Sequence, residues 1–78
     1  MIDYITFNEI ASKKKTRVFT VTNIKNGYYL GVIKWYGAWR QYCFFMEDNT
    51  VFSKGCLQEI INFIEKLMQE RKEEKANG

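Results

Sequence analysis

Residues 33–45 read "IKWYGAWRQYCFF", six aromatic side chains with one lysine and one arginine in thirteen residues of a chain that contains no histidine. β-Branched and aromatic residues flank Gly37 and Ala38, and glycine at the first central position suits a two-residue type II′ turn. The stretch predicts a hairpin with one strand over 28–36 and the next from Trp39 to about Met46. Just upstream, Asn26 and Gly27 offer the two positive-φ residues that a type I′ turn prefers, between Lys25 and Tyr28. Before that turn, "YITFNEIA" (4–11) and "RVFTVTNI" (17–24) alternate in part and read as two further strands around a lysine-rich tip, "SKKKT".

Downstream, "EDN" at 47–49 is a polar loop and "TVF" at 50–52 a short extended segment. Ser53 is placed to cap a helix in which Leu57, Ile60, Ile61, Ile64, Leu67 and Met68 recur at three- and four-residue spacings. The closing "QERKEEKANG" is almost wholly polar, so nothing after Met68 is expected to be buried and the end is expected to fray. The expected fold class is α+β: a four-stranded antiparallel β-meander followed by one long C-terminal amphipathic α-helix that covers one face of the sheet. Residues 1–70 form a single domain in this reading, and 71–78 a charged tail.

Seventy-eight residues leave room for one core. A domain of this size buries only roughly 60% of its unfolded surface, which makes self-association, most simply a homodimer, an expectation. Apolar residues make up 46% of the chain, too many for a disordered one. No apolar run approaches the ~20 residues that span a bilayer, and "MIDYITFNEI" lacks the basic start and apolar block of a signal peptide. The chain therefore reads as soluble and cytoplasmic, without a membrane partner.

Cys43 and Cys56 sit in apolar company and read as two buried thiols. With no histidine as base or ligand they make neither a nucleophilic site nor a four-ligand zinc site. Glu47, Asp48 and Asn49 lack calcium-loop spacing and read as a turn. No catalytic residue, metal site or cofactor is expected, and with no phosphate-cradling glycine loop the chain reads as non-enzymatic.

Charge is uneven. Up to Met46 seven basic residues face two acidic ones, net +5, and from Glu47 onward five face seven, net −2. The sheet half carries the positive field. A turn at Gly37 and Ala38 would set Trp35 opposite Arg40, a cation–π pair, and Gly31 opposite Phe44, leaving a gap. It would also divide the hairpin into two faces. Leu30, Val32, Lys34, Tyr36, Trp39, Gln41, Cys43 and Phe45 suit the helix, while Tyr29, Gly31, Ile33, Trp35, Arg40, Tyr42 and Phe44 remain open.

An aromatic open face rimmed by cations suits single-stranded DNA or RNA, because bases stack on rings and phosphates are neutralised by lysine and arginine. Tyr29, Trp35 and Tyr42 would stack, Lys34 and Arg40 would sit at the rim, and Lys13, Lys14, Lys15 and Arg17 would reach phosphates. The alternative is a protein–protein module, an inhibitor or adaptor of another protein, whose aromatic face is a dimer or partner interface.

"LGVIKWYGAWRQYCFF" followed by "TVFSKGCLQEIINFIEKL" resembles a family of small proteins of phages, prophages and other mobile elements. Its pattern is Leu-Gly-x-Ile-Lys-Trp-Tyr, then Trp-Arg-Gln-Tyr-x-Phe-Phe, then Thr-Val-Phe and Cys-Leu, and it covers about residues 30–67. Met46 stands where proline is expected, which loosens the turn at Glu47. The resemblance implies a mobile-element protein and little about activity. The element order is also similar to that of the coactivator PC4 and Whirly type of single-stranded DNA binder, a likeness of fold from which no residue carries over.

Overall fold

A computed structural model describes residues 4–13 and 16–77, with side chains described for 4–10 and 16–72. Strands β1 (Ile5–Lys13), β2 (Thr16–Asn23), β3 (Tyr29–Tyr36) and β4 (Gln41–Met46) are followed by helix α1 (Lys54–Asn77). The sheet has the order β1-β2-β3-β4 with every neighbouring pair antiparallel, so the α+β meander with a C-terminal helix is the architecture that forms. β1 and β4 are its edges.

The face that meets the helix is chosen by β1 and β2. Ile5, Phe7, Phe19 and Val21 alternate with Thr6, Asn8, Thr20 and Thr22, and only the first set is apolar throughout. Pairing carries that choice into β3, where Ile33 lies opposite Phe19 and Gly31 opposite Val21. Val21 and Ile33 are both 0% exposed. Through the pairs Ile33–Phe44 and Trp35–Tyr42, the side bearing Gly31, Ile33, Trp35, Tyr42 and Phe44 lies beneath α1. This reverses the expected assignment of the two faces.

The reversal comes from the β2–β3 loop. A two-residue turn at Asn26 and Gly27 would set Val21 opposite Val32 and bring Val32 under the helix. The loop instead has four residues, 24–27, closed by Asn23 N–H to the Tyr28 carbonyl (2.9 Å) and Gly27 N–H to the Asn23 carbonyl (2.8 Å), with Gly27 at φ 73°. Leu30 then enters as the extra residue of a bulge, since Val21 faces Gly31 but Thr22 faces Tyr29. The net offset is one residue, and a one-residue slip exchanges the faces. Leu30, in the bulge, turns inward and is buried.

The β3–β4 connection is also four residues, 37–40, with Trp39 N–H on the Tyr36 carbonyl, Arg40 N–H on the Gly37 carbonyl and Arg40 at φ 52°. This moves the register by two, which preserves the face sets but replaces the expected partners. Trp35 lies opposite Tyr42 rather than Arg40, Gly31 lies opposite Met46, and the gap expected above Gly31 holds the Phe44 ring.

Ser53 caps α1, its hydroxyl oxygen accepting from Cys56 N–H (3.2 Å). Cys56, Ile60 and Leu67 are buried and Phe63, Ile64 and Met68 partly so, while Leu57 and Ile61, expected in the stripe, are 44% and 47% exposed. Phe63 stacks on Phe7 (4.1 Å) and meets Phe19 edge-on (4.8 Å). After Met68 no described residue is buried, as expected, yet the polar end of the helix still makes contacts: Glu70 receives Arg17 Nη1 (2.9 Å) and Arg71 lies over Trp35.

Candidate nucleic-acid interface

With α1 on one side, the opposite face of the sheet is open. Its β1–β2 half is polar, with Asn8, Thr20 and Thr22, and its β3–β4 half is aromatic and basic. There Lys34 Nζ lies 4.8 Å from the centroid of the Phe45 ring. Tyr36 meets Phe45 edge-on at 5.9 Å and Trp39 edge-on at 5.1 Å. Trp39, lifted into place by the four-residue turn, is 68% exposed. Rings that hold one another at such angles lose little further freedom when a ligand stacks on them.

Tyr29 and Lys34 lie on this open face, Tyr29 beyond the bulge and Lys34, whose face set was expected under the helix, amid the rings. Trp35 and Tyr42 lie on the other side. The Arg71 guanidinium carbon is 4.0 Å above the Trp35 ring, and Trp35 meets Tyr42 edge-on (5.5 Å). Thus the cation over Trp35 is Arg71, where Arg40 was expected. Tyr42 is only 4% exposed, and its hydroxyl oxygen accepts from Arg17 N–H (2.9 Å).

Arg17 is committed within the fold. Its guanidinium donates to both oxygens of Glu9 (2.8 and 2.9 Å) and to Glu70 (2.9 Å). The hydrogen bond with Glu9 raises the guanidinium above its ordinary pKa and holds the Glu9 carboxyl below the usual carboxylate value. Arg40 is exposed in the β3–β4 turn and borders a groove on the helix side. Lys13 ends β1, but its side chain, like Lys14 and Lys15 entirely, lies outside the described residues.

Tyr36, Trp39 and Phe45 take the place that Trp35 and Tyr42 were expected to hold. The alternation of Phe19 and Val21 with Thr20 and Thr22 was the signal that could have found them, once the one-residue offset of the loop was known. Of the thiols, Cys56 is buried and Cys43 is half-buried on the open face; both are free. At 47–50 the Thr50 hydroxyl donates to the Glu47 carbonyl (2.8 Å) and Asn49 sits at φ 61°, shaping a turn. Among the described residues no three histidine, cysteine or acidic side chains group as metal ligands, and no helix is long and apolar enough to cross a membrane.

No family model and no solved structure matches the chain. Over 60 residues it is 42% identical to the uncharacterized 9.3 kDa protein of Acholeplasma phage L2, a stretch covering 77% of this chain and 77% of that protein. The covered share and the identity together place it: the chain belongs to the family of small phage proteins that includes the 9.3 kDa protein of Acholeplasma phage L2.

Proposed function

We propose that this phage protein binds single-stranded nucleic acid on the open face of its sheet and catalyses no reaction. The observation that carries the reading is the cluster of Lys34, Phe45, Tyr36 and Trp39, a cation among mutually braced rings on the side away from the helix. Bases stack on exposed rings irrespective of sequence, at ~1–3 kcal/mol each, and a nearby lysine neutralises phosphate. Glu59 and Glu70 of α1 bond to Tyr4 N–H and to Arg17, away from the open face. Lys13, Lys14 and Lys15, consecutive in the sequence, add positive charge to the same half of the chain as Lys34. The protein works in the cytoplasm as a homodimer, which the exposed Leu57 and Ile61, one helical turn apart, suit without using the sheet.

Fluorescence anisotropy of a labelled single-stranded oligonucleotide at two salt concentrations, beside light scattering for mass, tests this. Expected are affinity that falls steeply with salt and a loss of about 5- to 150-fold for Trp39→Ala. Absence of binding at low salt overturns the reading. In that case Val32 and Cys43, the half-buried apolar residues between the rings, favour the open face as a docking surface for a host protein.

A further inference from the structure

The β3–β4 turn joins the two sides of the molecule. Trp39 lies against Tyr36 on the open face, while the next residue, Arg40, borders a groove of about 840 Å³ between the turn and the later part of α1. Trp35, Gln41, Glu65, Arg71 and Lys72 line the same groove, so among the described residues three cations converge there beside one carboxylate. We propose that this groove takes the phosphate backbone of a single strand whose bases lie on the open face. The inference rests on the proposed function and adds to it a separate phosphate-binding site on the helix side.

Three features carry it. First, the sign of the groove complements a polyanion, and Arg40 and Lys72 enter no ion pair among the described residues, whereas Arg17 is satisfied by Glu9 and Glu70. Second, the Arg71 guanidinium lies over the Trp35 ring, which fixes a positive charge in the groove wall rather than on a freely rotating side chain. Third, Arg40 is held at φ 52°, a conformation that costs a non-glycine residue, although glycine would fill it without strain. A strained position retained for a charged side chain fits a ligand contact. A strand that passes over the turn meets ring and cation in succession, Trp39 and then Arg40.

The test is the salt dependence of binding of a labelled single-stranded oligonucleotide to the full chain carrying Arg40→Gly and Lys72→Gln together. Arg40→Gly removes the charge while relieving the backbone, and thermal melting verifies that the double variant folds. Each lost phosphate contact lowers the slope of log affinity against log salt by about 0.7 for a single strand, so the double variant should lose about 1.4 from the slope. Trp39→Ala should weaken binding at every salt concentration and keep the slope. A double variant with unchanged slope overturns the groove site while the open-face reading stands. A parent protein that binds no single strand at any salt overturns both, and so does binding of an acidic peptide alone.

Discussion

Gly31 and Phe44 share one space: a β-carbon at Gly31 would lie 2.7 Å from Cε1 and 2.9 Å from Cζ of the Phe44 ring, with the Phe45 carbonyl oxygen also in contact. The missing side chain lets Phe44 lie beneath α1 and meet Phe52 edge-on at 5.4 Å. Gly31→Ala should therefore act as overpacking and destabilise the fold by ~1–3 kcal/mol. Urea unfolding followed by tryptophan fluorescence measures it, and a variant as stable as the parent would show that the ring moves aside freely.

Tyr42 holds β4 to β2 across the intervening strand, through the hydroxyl that accepts from Arg17 N–H. Tyr42→Phe keeps the ring and its contact with Trp35 but leaves the amide without that acceptor, at ~1–2 kcal/mol. Because Tyr42 is beneath the helix, the same variant should bind single-stranded nucleic acid with parental affinity. Unfolding and anisotropy on one preparation check both halves.

The Glu9–Arg17 pair predicts a dependence on acid. A carboxyl whose folded pKa is lowered contributes fully above its ordinary pKa, and the contribution is lost as pH falls through the lowered value. Arg17, shifted upward, stays charged across the same range. The melting temperature of the parent should exceed that of Glu9→Gln at neutral pH by a small margin, since the pair is at the surface. The margin should close in acid, and thermal melts of both proteins between neutral and acid pH measure it.

Lys34 and Trp39 are exposed, so their removal should leave stability within about 0.5 kcal/mol. Lys34→Met should reduce the salt slope for single-stranded binding by about 0.7, one phosphate contact, and leave much of the stacking. Anisotropy titrations across a salt series distinguish this from Trp39→Ala, where affinity falls and the slope is kept.

The elements, their order and the cap at Ser53 were legible because alternation, turn residues and helical spacing are local signals. The choice of face was not, because it depends on two loops that each run to four residues and on the bulge at Leu30. One residue of offset turned Trp35 and Tyr42 from the open face to the helix side, and Tyr36 and Phe45 from the helix side to the open face, while the four-residue turn placed Trp39 beside them. The partners of Arg17 and Trp35 were equally hidden. Glu70 and Arg71 sit at the far end of the chain, in a stretch whose composition suggested no packing.

The two tryptophans lie on opposite sides of the sheet, Trp39 on the open face and Trp35 beneath Arg71. The most direct measurement follows their indole N–H signals by NMR, assigned with Trp35→Phe, while an unlabelled single-stranded oligonucleotide is added to saturation. The Trp39 signal should move progressively with added strand. A Trp39 signal that stays in place in a protein saturated with nucleic acid would contradict the open face as the binding surface.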